Sequence, residues 1–290
     1  MSENEIRALI NLIDDPDEDI YRQVRARIIA IGVPVVPVLE RAWETEDLGD
    51  LYRNRIEDIL HTIHVDAVYE GLKAWHAAGG EDLLEGALLV CRYRYPDLDV
   101  QRVRAKLSAI RQDIWLELND NLTAFEKVRV FNHIFFQVHG FKGNKRNYHA
   151  PQNSYINDVL ETRTGNPLSL SIIYQVLAEE LGLPLRGVNL PNHFVLAYLD
   201  EESIGAGEGR QGVLFYVNAF SQGDILGRNE IDEFLRKLDI DARESFYQPC
   251  SNIDIVRRQL NNLVHSYEKA GDAERASELK RLRALLGDPA

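Results

Sequence analysis

Apolar residues recur at helical spacing throughout the amino-terminal part of the chain. Four apolar stripes start at Ile6, Ile20, Val35 and Leu51, and each repeats every three or four residues. Between the first two stripes, residues 14–17 (Asp-Asp-Pro-Asp) supply a turn and an N-cap. The pattern therefore predicts consecutive helices before any strand.

Small residues interrupt this pattern at residues 76–80, where two glycines stand side by side. Because Gly tends to end helices, we expect a new region to start near residue 79. Helical spacing returns in residues 83–95 and 99–119, with a turn and cap at 96–99. It returns again from residue 252, and a break at residues 271–272 makes this last part a helical hairpin.

Strand signals are confined to the later middle of the chain. Branched and aromatic residues dominate three short segments, residues 186–189, 194–199 and 213–220. An acidic, Gly-rich hairpin over residues 200–212 is predicted to join the last two of them. Together the patterns predict an α+β fold that is predominantly helical and has a small antiparallel sheet.

Composition and charge narrow the functional classes. The 290 residues include 33 Lys+Arg against 46 Asp+Glu, a net charge of -13. Such an acidic chain argues against a broad phosphate-binding surface, so we expect no nucleic-acid partner. The two cysteines, Cys91 and Cys250, are too few for a disulfide framework. Without a recognisable signal peptide, lipidation motif or membrane-spanning stretch, we expect a cytoplasmic protein with no membrane partner.

The segment around residue 166 carries the most specific pattern. Residues 163–170 are Arg-Thr-Gly-Asn-Pro-Leu-Ser-Leu, preceded by Asn-Ser-Tyr at 153–155 and followed by Gly-Val-Asn-Leu-Pro-Asn-His-Phe at 187–194. Asn166 is typical of an N-cap, and Pro167 of a first helical position, where a missing N–H costs nothing. The helix that follows has almost no polar face, which predicts burial on all sides. We expect this central helix to lead into a strand.

These motifs resemble the SirB1 family, a branch of the transglutaminase-like superfamily with a papain-like core. The resemblance extends from about residue 85 to the carboxyl terminus and includes Tyr-Pro-Asp-Leu-Asp at 95–99 and Arg-Gln-Leu-Asn-Asn-Leu at 258–263. It implies a transglutaminase-like core. In transglutaminases, a nucleophilic Cys lies at the amino end of the central helix, a His on the next strand and an Asp on the strand after it. The helix terminus and the imidazole together lower the pKa of the thiol.

Carried over by position, the Cys corresponds to Pro167, the His to His193 and the Asp to Asn218. Proline has no nucleophilic atom, so thioester chemistry at this position is impossible. An Asn in the third place is compatible with chemistry, since Cys-His-Asn serves papain-like proteases. SirB1-like proteins resemble this chain in lacking the Cys. The resemblance thus implies the superfamily's fold and favours a protein that is not an enzyme.

The resemblance also implies a cleft at the amino end of the central helix. Its expected residues are Asn153, Gly165, Asn166, Ser169, Asn192, His193 and Asn218. His193 and Asn218 are either a hydrogen-bonded structural remnant or a dyad that supports hydrolysis or acyl transfer without the Cys. Pro167 completes the vestigial catalytic set.

Other nucleophiles are weighed against simpler structural roles. Ser169 and Ser171 could replace the Cys, although Ser in the first turns of a helix commonly caps it or bonds to the backbone. Cys91 lies on an apolar helical stripe, so we expect a small core residue. Cys250 follows a Pro in a connecting segment, and exposure alone would not make it reactive.

Several remaining motifs have structural as well as functional interpretations. The glycines within residues 200–212 precede no helix, which argues against a phosphate loop. His61 and His64 share a helix face without further ligands, so we expect no metal and no cofactor. The basic, aromatic segment 142–149 is either a solvated loop or a docking loop for an acidic partner. Residues 153–154 (Asn-Ser) are predicted to cap a helix that starts near residue 154.

We therefore expect three regions. Residues 1–78 resemble a HEAT repeat, residues 79–248 form the SirB1/transglutaminase-like core, and residues 249–290 resemble a tetratricopeptide hairpin. The leading hypothesis is a protein-binding scaffold or regulator that uses the cleft. A hydrolase or acyl-transfer enzyme and a helical adaptor with an inert core are the alternatives. The oligomeric state and the partner stay open.

Overall fold

The computed structural model of the chain describes residues 3–44, 49–200 and 212–287. The chain divides into two compact units, residues 1–72 and 73–290. The division falls within the long helix α4 (Asp50–Ala77), which has residues in both units. The three-part division expected from the sequence stays a prediction. Of the predicted hairpin at 200–212, only the two end residues are described, and the Asp200 N–H donates to the Gly212 carbonyl at 2.8 Å.

The first unit consists of the predicted helices. They are α1 (Glu3–Asn11), α2 (Glu18–Ile31), α3 (Val36–Trp43) and the first part of α4. The predicted turn is confirmed, because the Asp17 carboxylate accepts from the N–H groups of Asp19 and Ile20 and so caps α2. Apolar side chains from all of these helices form one core, which includes Ile13, Ile28, Leu39, Ile56 and Ile59.

A buried cation closes the turn between α1 and α2. Arg55 is only 6% exposed, and its guanidinium donates to the carbonyls of Ile13 and Asp15, both at 2.8 Å. It also forms an ion pair with Glu18 at 2.6 Å and lies over the Tyr21 ring at 3.9 Å. These contacts satisfy two backbone carbonyls of the turn that follows α1.

The second unit contains the remaining helices of the described residues. They are α5 (Leu83–Arg92), α6 (Val100–Glu117), α7 (Ala124–Asn132), α8 (Ile156–Thr162), α9 (Pro167–Glu180), α10 (Arg228–Lys237), α11 (Asn252–Ala270) and α12 (Ala273–Ala284). A wider, π-helical segment, His133–Val138, continues directly from α7. The predicted cap at Asp99 and the predicted break at Gly271 are confirmed.

The strands of the second unit form two sets of pairs. Strands β1 (Lys142–Gly143) and β2 (Thr164–Gly165) pair in parallel. Strands β3 (Leu185–Leu190), β4 (His193–Leu199), β5 (Val213–Asn218) and β6 (Asp224–Leu226) form an antiparallel sheet in that order. The predicted α+β, mainly helical fold with a small antiparallel sheet is confirmed. Helices α7 and α10 and strands β1, β2 and β6 were not predicted. The three strands have only two or three residues each, and α10 is mostly polar.

The sheet lies between the central helix α9 and helix α10. Residues from Pro167 to Ala178 are all buried, which confirms the prediction that α9 has no exposed face. Alternate residues of the strands, including Val188, Val195 and Ala197, pack with Ile231 of α10. The opposite face of the sheet contacts α9. This arrangement fixes the amino end of α9 beside the turn between β3 and β4.

One buried side chain links three elements of this unit. Gln175 of α9 is 1% exposed, and its Oε1 accepts from the Gly187 N–H of β3 at 2.9 Å. Its Nε2 donates to Asn252 Oδ1 of α11 at 3.3 Å. Because a buried amide without partners costs free energy, these bonds hold α9, β3 and the start of α11 in register.

Candidate functional site

A groove of about 970 Å³ opens at the amino end of α9. Its walls come from α9, the turn between β3 and β4, the loop before α8, and helices α11 and α12. Of the residues expected to form the cleft, Asn166, Asn192 and His193 line it, together with Pro167. Asn153, Gly165 and Ser169 do not line it, and Asn218 lines a neighbouring cavity.

The amino end of α9 is held by a closed set of hydrogen bonds. Asn166 Oδ1 accepts from the Ser169 N–H at 2.9 Å, and the Asn166 N–H donates to Ser169 Oγ at 3.1 Å. Asn166 Nδ2 donates to Ser154 Oγ at 2.9 Å. The predicted N-cap and the predicted first position of Pro167 are therefore confirmed. This capping box also uses the Ser169 hydroxyl, which is buried and not free to act as a nucleophile.

Gly165 is required where the chain enters α9. A Cβ at this position would lie 2.6 Å from Ser169 Oγ and 3.0 Å from Val159 Cγ1. The backbone of Gly165 also accepts from the Asn144 N–H at 2.8 Å. Because Gly165 has no Cβ, the capping box and strand β1 can approach it closely, and this packing positions the chain next to the groove.

His193 is positioned between two cavities. It begins β4, is half-buried, and lines both the groove and a cavity of about 340 Å³ that Asn218 also lines. Burial lowers the pKa of His193 from its ordinary value, the interaction with the Asn218 side chain opposes that shift, and the Arg258 charge adds to it. The imidazole is consequently neutral at pH 7.

Asn218, which interacts with His193, also has a structural role. Asn218 Oδ1 accepts from the N–H groups of Phe220 and Ser221 at 3.2 and 3.3 Å, so it caps the tight turn that ends β5. This cap explains why the strand predicted over residues 213–220 ends at Asn218. The contact between His193 and Asn218 is compatible with a structural remnant and with a positioned imidazole.

We expect two substitutions to shift the pKa of His193 in opposite directions. Asn218→Ala removes the interaction that raises it, so the pKa falls further, whereas Arg258→Gln removes a nearby positive charge, so the pKa rises. NMR titration of the His193 imidazole checks both. Because the folded pKa lies below the unfolded value, His193 contributes stability above pH 6.5 that is lost as the pH falls through the folded pKa. Shifts of the same sign in both variants would contradict this assignment.

Arg258 of α11 lines the groove, although it was not among the residues expected to form the cleft. Its Nη1 donates to the Leu190 carbonyl at 2.6 Å and to Asn189 Oδ1, and its guanidinium lies 5.9 Å from the Phe194 ring centroid. Burial lowers the pKa of Arg258. Within residues 3–44, 49–200 and 212–287, no carboxylate forms an ion pair with it. The sequence does contain a signal for this wall of the groove. In the helix, residues 258, 261, 262 and 265 (Arg, Asn, Asn, His) form a polar face beside an apolar one.

The other charged residues of the groove are mostly paired. Arg257 binds Asp254 in an ion pair, and Lys280 binds Glu268 at 2.6 Å. Arg283 Nη1 donates to Asn261 Oδ1 at 2.6 Å. The described lining residues include four cations and two carboxylates, namely Arg257, Arg258, Lys280 and Arg283 against Asp254 and Glu268. The groove therefore carries a local excess of positive charge in a chain whose net charge is -13.

Two histidines lie at another wall of the groove. The rings of His149 and His265 are 5.6 Å apart, and Tyr148 contacts His149 and Phe220. Burial lowers the pKa of His149, as does the nearby charge of Lys269. The segment predicted as a loop at 142–149 thus begins as strand β1 and ends as part of the groove wall.

Asn153 holds that wall in place. Its Nδ2 donates to the carbonyls of Asn147 and Tyr148 at 2.6 and 3.0 Å, and its Oδ1 accepts from Asn144 Nδ2 at 2.9 Å. The prediction that residues 153–154 cap the next helix is wrong, because α8 begins at Ile156 and has no side-chain cap. The physical reason is that residue 153 is buried in a one-turn 3-10 helix, where its amide satisfies the preceding loop instead.

We expect Asn153→Ala to destabilise the protein by about 1–3 kcal/mol, because the buried loop carbonyls lose their donors. Amide hydrogen exchange of residues 144–149 should become faster while the exchange in α9 changes less. Asn229→Ala, at an exposed position of α10, is the control and should leave the free energy of unfolding nearly unchanged. If Asn153→Ala and Asn229→Ala had the same free energy of unfolding, this would contradict the conclusion that Asn153 holds the loop in place.

The remaining reactive groups lie outside the groove. Cys91 is fully buried, which confirms the expected core position, and burial raises its pKa to about 12. Burial likewise raises the pKa of Cys250, which is half-buried and lines a separate cavity, to about 12. Both are thiols at neutral pH. Ser171 is fully buried, and its hydroxyl has no hydrogen-bond partner among the described residues.

No group of three or more His, Cys, Asp or Glu side chains in residues 3–44, 49–200 and 212–287 is placed to hold a metal ion. Within the same ranges, no helix has the length and apolar character to cross a membrane.

Comparison with known proteins places the chain in a family. The model of the transglutaminase-like superfamily matches residues 101–261, which include α9, the sheet and part of the groove lining. A UPF0162 protein of Xylella fastidiosa is 30% identical over 201 residues, which cover 67% of this chain and 68% of that protein. The chain belongs to the transglutaminase-like superfamily and to the UPF0162 family. The finer SirB1 assignment and the HEAT-like and tetratricopeptide-like labels stay predictions.

Other relatives of this transglutaminase-like chain are more distant. UPF0162 protein YchA of Escherichia coli is 26% identical over 210 residues, which cover 70% of this chain and 72% of that protein. Human F-box only protein 21 is 27% identical over 240 residues, 73% of this chain but only 37% of that protein. No solved structure matches the chain.

Proposed function

We propose that this protein is a non-catalytic, transglutaminase-like scaffold or regulator that binds a segment of a protein partner in the groove. The observation that carries the proposal is Pro167 in the groove wall, at the position that resembles the nucleophilic Cys of transglutaminases. The groove has a volume of about 970 Å³ and a lining rich in polar side chains, although that position offers no nucleophile. A cleft without its nucleophile retains the capacity to bind.

The chemistry around Pro167 supports binding over hydrolysis. Ser169 Oγ belongs to the capping box, and His193 is neutral with an Asn rather than a carboxylate beside it. A general base needs a nucleophile or water within hydrogen-bonding reach and a group that orients the base. Asn218 is the group beside His193 in the described part of the chain that could orient it, and its Oδ1 also caps the turn after β5.

The lining of the groove suits a polar ligand with several contacts. Small-molecule sites are mostly apolar with a few polar groups, whereas charged and amide side chains dominate this lining. An extended peptide presents repeated backbone donors and acceptors, which asparagines such as Asn192 and Asn262 can pair with. We extend the proposal to a cytoplasmic setting, in which the amino- and carboxyl-terminal helices add contact surface.

A groove-filling variant tests the proposal. Asn261 is exposed on α11 and lines the groove, whereas Ser277 is exposed on α12 and does not. We expect Asn261→Trp to prevent capture of protein partners from a lysate of the source organism, and Ser277→Trp to leave capture unchanged. Cross-links from the wild-type protein should include residues 148–149 or 280–283.

Two results would contradict the proposal. One is unchanged capture of every partner by Asn261→Trp, which would move the binding surface away from the groove. The other is turnover of an amide or ester that is lost in His193→Ala, which would establish the enzymatic alternative. Unfolding curves of both Trp variants serve as the folding control, since a folded protein is needed for either conclusion.

A further inference from the structure

The Arg258 guanidinium has donors that no part of the described chain uses. Its Nη1 is bound to Leu190 and Asn189, but Nε and Nη2 have no protein acceptor within residues 3–44, 49–200 and 212–287. Neither atom is among the buried polar atoms without a partner, so both donors are open to the solvent of the groove. Donors placed in this way need an acceptor from water or from a ligand. A planar carboxylate meets this need, because it accepts two parallel N–H bonds from one guanidinium.

The surroundings of Arg258 are suited to the same ligand. The Phe194 ring holds the guanidinium from one side, and Leu190 fixes its direction through the backbone. His193 lines the same groove, and its neutral imidazole carries one N–H donor that a carboxylate can accept from. Beyond Arg258, the Arg283 side chain at the other wall donates to Asn261 Oδ1, and within residues 3–44, 49–200 and 212–287 no carboxylate forms an ion pair with it.

We infer that the groove takes an acidic peptide segment, with one carboxylate of the segment bound by Arg258 and a second near Arg283. The inference rests on the proposed function, because it names the chemistry of the protein segment that the groove binds. Opposite charges across an interface select the partner as well as adding affinity.

The charge distribution limits what such a partner can be. The chain as a whole carries a net charge of -13, so an extended polyanion meets repulsion over most of its length. Within the groove, by contrast, cations outnumber carboxylates among the described lining residues. A short acidic segment that enters the groove gains the local attraction without following the acidic surface. This favours a peptide over nucleic acid or an anionic membrane.

The experiment is a selection from a displayed library of random twelve-residue peptides on the wild-type protein. We expect enrichment of peptides that carry two or more Asp or Glu residues. Their affinity, measured by fluorescence anisotropy, should fall at least about tenfold in Arg258→Gln, since a buried charge pair loses one partner. Arg283→Gln, a second variant at the outer wall, should weaken binding by about threefold.

Arg275→Gln provides the matched control. Arg275 lies on α12, pairs with Asp272 at 3.0 Å and does not line the groove, so its loss changes the net charge equally. We expect peptide affinity within about twofold of the wild type for this variant. Because Arg283→Gln leaves the contacts of Arg258 intact, it reports on the charge preference even if Arg258→Gln fails to fold.

The outcomes separate this inference from the proposed function. Enriched peptides that are neutral or basic, with affinities unchanged in both groove variants, would overturn the acidic preference while leaving a peptide-binding groove. If no enriched peptide lost its affinity in the Asn261→Trp variant, both the acidic preference and the peptide-binding groove would be overturned. If inorganic phosphate bound the wild type but not Arg258→Gln while no peptide was enriched, the groove would be a small-anion site and the acidic segment would be refuted.

Discussion

Phe135→Ala is expected to lower the free energy of unfolding by about 3–5 kcal/mol. Phe135 lies in the π-helical segment after α7 and is fully buried. Its ring stacks on Phe141 at 4.2 Å and meets Tyr174 of α9 edge-on at 5.4 Å. Phe131 stacks on Tyr174 at 3.9 Å in the same cluster. The substitution leaves a cavity directly beside α9, where rigid neighbouring rings restrict collapse.

Chemical denaturation measures this effect, and Phe125→Ala is the control. The Phe125 side chain is 48% exposed and touches only the edge of Phe215 among the aromatic rings of the described residues, so its loss should cost about 1 kcal/mol. A Phe135 variant as stable as the Phe125 variant would show that the aromatic cluster does not support α9.

Gly187→Ala is expected to destabilise the protein by about 1–3 kcal/mol and also to weaken ligand binding in the groove. An added Cβ would lie 2.5 Å from Phe194 Cζ and 2.9 Å from Ile255 Cδ1. Gly187 cannot move away easily, because its N–H is bound to Gln175 and its carbonyl accepts from the Cys250 N–H at 2.8 Å. The Phe194 ring must therefore shift.

The functional part of this prediction follows from the place of Phe194. The ring lines the groove and lies beneath the Arg258 guanidinium, so its displacement should loosen Arg258 and reduce the affinity for acidic peptides. Gly49→Ala is the control for the substitution itself, since nothing lies within 4 Å of a Cβ there. Peptide affinity equal to the wild type in Gly187→Ala would show that Arg258 does not depend on the ring.

The amino end of α9 could be predicted because its signals are local. Asn166, Pro167 and Ser169 are adjacent in sequence, and the capping box that they form depends on the spacing of three residues. The strand that begins at His193 follows an equally local turn of Pro191 and Asn192. Asn192 has a φ of 56°, a left-handed value that Asn tolerates better than most residues.

The contacts that shape the groove could not be predicted in the same way, because they join distant parts of the chain. Arg258 donates to Leu190 across 68 positions of sequence, and Gln259 Nε2 donates to the Ser154 carbonyl at 2.9 Å across 105. Strands β1 and β2 are each two residues long, too short to show a period. Asn is a residue type typical of helix caps, so the sequence around Asn153 predicts a cap. Only its burial beneath the 144–148 loop shows that its amide bonds to that loop instead.

The binding role of the groove is tested most directly by hydrogen–deuterium exchange of the protein with and without a selected acidic peptide. We predict slower exchange in residues 189–194 and 257–268, unchanged exchange in α1 to α3, and recovery of the peptide with its mass unaltered. Slower exchange confined to α1 to α3 would contradict this role and favour the helical adaptor. A cleaved or modified peptide would show that the protein is an enzyme.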